Sequence, residues 1–388
     1  MANGKRLIAL DVLRGLTIAG MIVVNNPGSW SYVYAPLRHA AWNGCTPTDL
    51  VFPFFVFVMG VAMSLSYSKT DYQLTKHTFA KLLYRSLLLI LIGWALGWFG
   101  ICLRTFSAGG TWQEALWLNP VHKLRFLGVF PRLGLVSLFA GLLLMIFKPR
   151  RIGWVAGALL LAYCIMIGVT HSFDLTTDNI VARVDLAIFG ENHIYHMGGI
   201  PFDPEGLLST IPCVAHALIG AMAGSLILKS NREATGESAK WLSVNRLFIF
   251  GTVLLFAGFM LDYAFPINKS LWSASYVFVT CGLASLLLAL FVWAIDICGK
   301  RRWSVFFESF GVNPLFIFVL SNILVTVMAN IRFTIAGETY SVWSAWYRCC
   351  MVPLFGDFGG SLACALSLVA VLWLIAHPLY MKKIYIKL

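Results

Sequence analysis

Again and again along this chain, runs of nearly twenty apolar residues pass with few charges or none. That recurrence fixes the fold class before any motif is read. The runs are Leu7–Val24, Leu50–Tyr67, Leu82–Cys102, Leu133–Phe147, Ile152–Val169, Leu207–Leu228, Leu247–Phe265, Ala274–Ile295, Val312–Met328 and Leu362–Tyr380. An α-helix needs roughly 20 apolar residues to cross the hydrocarbon of a bilayer, and most of these runs approach that length. Within hydrocarbon a helix satisfies all its backbone groups internally. Charged residues are 12% of the chain, half the roughly 25% of a soluble domain, so too little polar surface exists to cover a water-soluble globule. The expectation is an all-α integral membrane protein. It is a bundle of about ten transmembrane helices, with residues 1–388 forming a single transmembrane domain.

The formal charge of +12 reports topology, because its Lys and Arg lie in short connections between apolar runs and not on one basic face. One set of connections holds Lys5 and Arg6; Lys69, Lys76 and Lys81; Lys148, Arg150 and Arg151; Lys229, Arg232 and Lys240; Lys300, Arg301 and Arg302; Lys382, Lys383 and Lys387. These are the two termini and every second connection between them, which predicts both termini on the cytoplasmic side. The alternate connections are longer and carry acids, among them Asp174, Asp178, Asp185, Glu191, Asp203 and Glu205, and are predicted to face outward. The pattern excludes nucleic acid as a partner and makes the lipid bilayer one. Nine cysteines are scattered without a CxxC pair, which argues against a zinc ribbon or dithiol redox site. His193 and His196 are spaced HxxH but lack an obvious third ligand, so no metal is expected. The first apolar run has no small-residue cleavage site behind it and reads as a retained anchor.

Polar groups inside or beside the apolar runs are the candidates for chemistry, since an ionisable group in hydrocarbon is costly unless paired or facing a wet cavity. Asp11 and Arg14 are i,i+3 on the first helix; they either pin that helix as an internal ion pair or offer positive charge to an anionic cofactor. The helix stops at Pro27-Gly28, leaving the Asn25 amide at its outer end, as a cap or as a donor. The densest segment runs Arg38-His39-Ala40-Ala41-Trp42-Asn43-Gly44-Cys45-Thr46-Pro47-Thr48-Asp49-Leu50 and leads straight into an apolar run. It gathers the His39 imidazole, Trp42 indole, Asn43 amide and Asp49 carboxylate at the mouth of a span. An imidazole there can take a proton from an attacking amine or accept an acyl group.

Lys123, Arg125 and Arg132 precede or open the fourth span, where they can hold phosphate oxygens or lie as interfacial cations. In the outward connection that holds Asp185 and opens the sixth span, the acids of Asp203-Pro204-Glu205-Gly206 either cap a helix or bind the ammonium of an amino sugar. Pro266-Ile267-Asn268-Lys269-Ser270-Leu271-Trp272 is a short outward turn with a cation and an indole, an interfacial belt or part of a cofactor site.

Taken together, these segments resemble the heparan-α-glucosaminide N-acetyltransferase family and its bacterial relatives. The resemblance is carried by Asp11-Val12-Leu13-Arg14-Gly15, Asn25, His39-Ala40-Ala41-Trp42-Asn43-Gly44 with Thr48-Asp49-Leu50-Val51-Phe52-Pro53, Gly128-Val129-Phe130-Pro131-Arg132-Leu133-Gly134, Gly190-Glu191-Asn192-His193-Ile194-Tyr195, Asp203-Pro204-Glu205-Gly206, the 266–272 turn and the ending Leu372-Trp373-Leu374-Ile375 with Lys382-Lys383-Ile384. It implies transfer of acetyl from acetyl-CoA, an acyl-donor substrate, to the amine of a terminal glucosamine on the outer side of the membrane. His39 matches the family's active-site histidine and Asn25 its essential asparagine. Trp42, Asn43, Asp49, Asp185, Asp203 and Glu205 are then expected around the sugar, and Arg14, Lys123, Arg125, Arg132, Lys269 and Trp272 around the coenzyme. Whether the histidine carries acetyl or acts only as a base is open in the family. The lysosomal members carry an additional luminal portion, whereas this chain opens at its first span, which fits a bacterial inner membrane and a periplasmic glucosamine-containing sugar.

Two other activities fit parts of the pattern. The opening Leu-Asp-x-Leu-Arg-Gly also resembles membrane O-acyltransferases of envelope polysaccharide, which usually place a histidine near the end of the first span, where Asn25 and Asn26 stand here. A sugar transporter of about ten spans is also compatible, although no inverted repeat is visible. A homodimer is allowed by everything in the sequence.

Overall fold

A computed structural model describes residues 7–335 and 337–386. Lys5, Arg6 and Lys387 of the expected basic terminal segments lie outside the described residues. The described chain is an all-α integral membrane bundle. Its elements are α1 (Ile8–Asn25), α2 (Val51–Tyr67), α3 (Lys76–Ser107), α4 (Asn119–Lys123), α5 (Val129–Val169), α6 (Ile180–Phe189), α7 (Thr210–Glu233), α8 (Gly236–Asp262), α9 (Ala274–Phe291), α10 (Ser304–Val312), α11 (Pro314–Asn330), α12 (Val342–Ala345) and α13 (Val352–Met381). Short 3₁₀ and π segments and two small antiparallel hairpins, His196–Met197 with Ile200–Pro201 and Arg332–Ile335 with Glu338–Ser341, accompany these helices.

Eight of the described helices are long and apolar enough to cross a membrane, and α10 with α11, bent by 85°, makes a ninth. The expected count of about ten is recovered when α5 is taken as two legs. Straight, its 41 residues would reach about 60 Å, twice a bilayer core. It breaks instead at Lys148 (φ 56°, ψ 163°), ahead of Pro149. Arg132 near its start bonds Pro204 and Ser209, and Tyr163 near its end donates to the Leu271 carbonyl at 2.7 Å. Lys148 meanwhile stands 3.9 Å from Asp71, in the connection between α2 and α3. Both ends of α5 therefore lie on one face of the bundle and its break on the other.

The face holding Lys148 also gathers Arg246 with Glu233, and Lys240 against the Asp296 carbonyl. The opposite face carries the loops 26–50, 170–209 and 263–273. This division follows the alternation of basic and acidic connections.

Helices that frame this second face approach at backbone distance. A Cβ on Gly60 of α2 would stand 1.9 Å from the Ala217 carbonyl oxygen of α7, and one on Gly220 would meet the Phe57 carbonyl at 2.3 Å. Small residues replace apolar burial as the means of close packing where lipid is the solvent. The α2–α7 contact holds the mouth of α2, with its polar loop, against the start of α7, with its acidic turn.

Candidate active site

The loop before α2 is built around Asp49. Thr46 caps the 3₁₀ turn Pro47–Leu50, and Asp49 closes the capping box by accepting from the Thr46 backbone N–H at 3.1 Å. The same Oδ2 accepts from the Thr46 hydroxyl at 3.0 Å and from the Ala40 N–H at 3.0 Å. Oδ1 is left for His39, whose Nδ1 lies 2.6 Å away. Asp49 is 1% exposed, whereas the His39 side chain is 47% exposed. With the carboxylate at Nδ1, the proton of the neutral ring belongs on Nδ1 and the lone pair on Nε2. A buried carboxylate that orients an imidazole through Nδ1–H is the arrangement by which histidine serves as a general base.

Two further loops close on this dyad. The Asn268 amide donates to Asn43 Oδ1 at 3.1 Å, and the Gly44 N–H donates to the Ile267 carbonyl at 2.7 Å, stapling the 266–272 turn to the His39 loop. That turn brings Lys269 Nζ within 3.0 Å of His39 Nδ1 and 3.4 Å of Asp49 Oδ1. Tyr276 on α9 donates to the Asp49 carbonyl at 2.6 Å.

Behind Lys269 lies a second charged group. Arg125 donates through Nε to Asp203 Oδ2 at 2.8 Å and through one terminal nitrogen to Asp203 Oδ1 and to Glu205. Its guanidinium also covers the Tyr195 ring at 5.0 Å. Burial raises the Glu205 carboxyl, but Arg125, then Arg132 and Lys269, hold it below the ordinary glutamate range. Asp185 on α6 is wholly buried; its Oδ1 accepts from the Leu207 N–H at 2.9 Å and its Oδ2 has no partner. Burial pushes its carboxyl up to about 7, against the Leu207 bond that lowers it.

The other expected site residues are spread between this cluster and more distant places. Asp203 is completely buried with both its oxygens bonded to Arg125, and Glu205, partly exposed, gives one oxygen to the same arginine. Asp185 is equally sealed. Arg125 is paired with two acids, its side chain one-third exposed, and Arg132, 1% exposed, is bonded to Pro204 and Ser209. Trp272, also 1% exposed, lies under the Arg132 guanidinium at 4.6 Å and cannot face a coenzyme in this structure. Lys123 is exposed at the end of α4. Arg14 pairs with Asp11 at 3.1 Å, eleven residues and so about 16 Å along α1 from Asn25. It belongs to the other half of the bundle.

Asn25 is exposed at the end of α1, beside the anchor formed where the Gly28 N–H donates to the Ser361 carbonyl and the Trp343 indole to the Pro27 carbonyl. No hydrogen bond joins its side chain to His39 among the described residues. α1 and the mouth of α2 are nonetheless neighbours, since a Cβ on Gly20 would stand 3.4 Å from Val51. Trp42 is a strut, donating to the Phe173 carbonyl at 2.8 Å and meeting Phe202 edge-on. His193 and His196 are tied separately, to the Leu124 carbonyl at 2.8 Å and to Glu191 at 3.4 Å.

No family model matches the chain. Among known proteins it is 27% identical to the mouse heparan-alpha-glucosaminide N-acetyltransferase, covering 83% of this chain and 54% of that protein. It is also 27% identical to the human heparan-alpha-glucosaminide N-acetyltransferase, covering 81% and 52%. The chain is a distant relative of this acetyltransferase family. It spans about half the length of the curated relatives it matches. Of the segments by which it resembles these acetyltransferases, three meet at one place, namely the His39 block, the Asp203–Gly206 turn and the 266–272 turn.

The sequence alone left Asp49 as one polar residue among several around a sugar. A signal for its real place was present, because Thr46-Pro47-Thr48-Asp49 has the spacing of a capping box. Asn268 and Tyr276 carried no comparable mark. His216 on α7, wholly buried beside Trp272 with ring centroids 5.8 Å apart, was also missed.

Proposed function

We propose that the chain is a membrane acetyltransferase moving acetyl from acetyl-CoA to the amine of a glucosamine-type sugar, at the bundle face that carries His39. The observation that carries this reading is the dyad itself. A buried carboxylate fixes Nδ1 and leaves Nε2 on an exposed ring, at the mouth of a span, in a chain related to N-acetyltransferases. The chemistry asks for such a base. An amine attacking the thioester carbonyl must lose a proton as the C–N bond forms and coenzyme A thiolate leaves, and Nε2 takes that proton. Asn25, exposed on the same face, is the donor for the developing oxyanion, a contact worth about 10²–10³ in rate elsewhere. Lys123 is the remaining exposed cation of the expected coenzyme set on this face. The alternation of basic and acidic connections supports an outward-facing site with the termini on the cytoplasmic side, as in a bacterial inner membrane.

Membranes containing the chain, supplied with labelled acetyl-CoA and a panel of amino sugars, are expected to form N-acetyl product and release coenzyme A thiol. His39→Ala should reduce the rate by about 10²–10⁴. Wild-type transfer by His39→Ala would end the assignment, and transfer to hydroxyl acceptors alone would move it to O-acylation.

A further inference from the structure

We propose that Lys269 is a positioning residue that sets the proton affinity of His39, its ammonium standing against both His39 Nδ1 and Asp49 Oδ1, and that it is not a ligand for coenzyme phosphates. The inference rests on His39 as the base. Nδ1 and Oδ1 are 2.6 Å apart and share one proton between them, so Lys269, 3.0 Å from Nδ1, has no lone pair there to bond. It forms an ion pair with Asp49 Oδ1 at 3.4 Å, and its charge faces the edge of the ring. When Nε2 takes a proton, the ring becomes a cation between an anion that favours it and a cation that opposes it. Asp49 alone would make His39 hold that proton tightly; Lys269 offsets this and lets the ring release it. The same ammonium disfavours a positive ring before the reaction and so keeps Nε2 available.

The surroundings assign the lysine to this role. Its side chain is four-fifths covered, and burial pushes the ammonium below the usual lysine range while Asp49, then Glu205, pull it back up. Both its carboxylate neighbours are thus within the site. The other charged groups around the dyad are accounted for. Glu205 faces Lys269 from the Asp203–Gly206 turn, with Arg125 paired beyond it. On the His39 loop, Arg38 turns away to donate to the Val33 carbonyl at 2.7 Å, and burial pushes the Cys45 thiol up to about 12, which leaves it neutral.

The test uses the full chain in detergent micelles and needs no substrate. Carbethoxylation of His39 by diethyl pyrocarbonate requires an unprotonated ring nitrogen, so its rate against pH, read by peptide mass spectrometry, gives a titration midpoint. Removing the charge with Lys269→Gln, and separately with Lys269→Met so that one poorly folding variant does not end the test, is expected to raise the midpoint by about one pH unit. Lys269→Arg keeps the charge and should stay close to wild type. The acid limb of the transfer rate should move with the modification midpoint. Equal midpoints in wild type and both charge-removing variants would overturn the proposal, as would an equal shift in Lys269→Arg, which would trace the effect to shape. Failure of the acetyl-transfer reading looks different: the midpoint shift would be present while the wild-type chain transferred nothing.

Discussion

Asp49→Asn separates the orienting role of this carboxylate from its structural one. The wild-type carboxylate presents Oδ2 to three donors, the Ala40 N–H at 3.0 Å, the Thr46 N–H at 3.1 Å and the Thr46 hydroxyl at 3.0 Å. An asparagine must place its one oxygen there, because turning its NH₂ that way would set a donor against the Ala40 and Thr46 N–H groups. The NH₂ then points at His39 Nδ1, where Oδ1 now sits at 2.6 Å. A donor at that position requires Nδ1 to be the acceptor, which moves the ring proton to Nε2 and removes the lone pair that the reaction uses. The expected loss is that of a general base, about 10²–10⁴ in kcat. The capping bonds survive in neutral form while Lys269 loses one of its two carboxylate neighbours, so a stability cost of about 1–3 kcal/mol is expected. The assay is transfer from labelled acetyl-CoA in membranes, paired with thermal unfolding of the purified variant. Transfer within about threefold of wild type would refute the tautomer argument. So would a lost activity that tracks a collapse of the melting transition, since the dyad would then be structural.

The acidic turn gives two further expectations. In Gly206→Ala the new Cβ would stand 2.1 Å from Asp185 Oδ2 and 2.9 Å from the Asp203 carbonyl oxygen, in a region where Asp185 and Asp203 are wholly buried. A cost of about 1–3 kcal/mol or more is expected, read as a lowered melting temperature in detergent, and an unchanged transition would show that the turn relaxes freely. Asp185 itself makes stability depend on pH. Its folded carboxyl titrates near 7 against an ordinary 3.8, so the folded state holds an extra proton between those values. Stability is therefore highest below about pH 4 in this contribution and falls as pH rises toward 7, by a few kcal/mol. Asp185→Asn should match wild type at low pH and exceed it in melting temperature at pH 7.5. A variant less stable than wild type at both pH values would show that the ionised carboxylate is wanted.

The class of the molecule was legible from local composition, because a span is recognised by length and apolarity alone and needs no knowledge of its neighbours. So was the division into two faces, which rests on where Lys and Arg fall between spans. The sequence also marked the right neighbourhoods: His39, Asp49, Asp203 and Lys269 all stand at span mouths on one face. The break in α5 was anticipated as a gap between two apolar runs, at Lys148 and Pro149. Partner choice was not legible. Asp49 was placed beside a sugar, Arg125 and Arg132 beside phosphates, and Asp203 and Glu205 beside an ammonium, because each residue taken alone has the right charge for such a ligand. In a buried setting, however, a charge stripped of water must be met by the nearest opposite charge or donor. That neighbour is chosen by which helices pack together, as when the α2–α7 contact holds two span mouths side by side. Lys269 reaches His39 across 230 residues of sequence, and Arg125 reaches Asp203 across 78. Apolarity, summed along one segment, marked the spans; desolvation, which acts between segments, decided which polar groups were consumed in holding the bundle and left the His39 ring open.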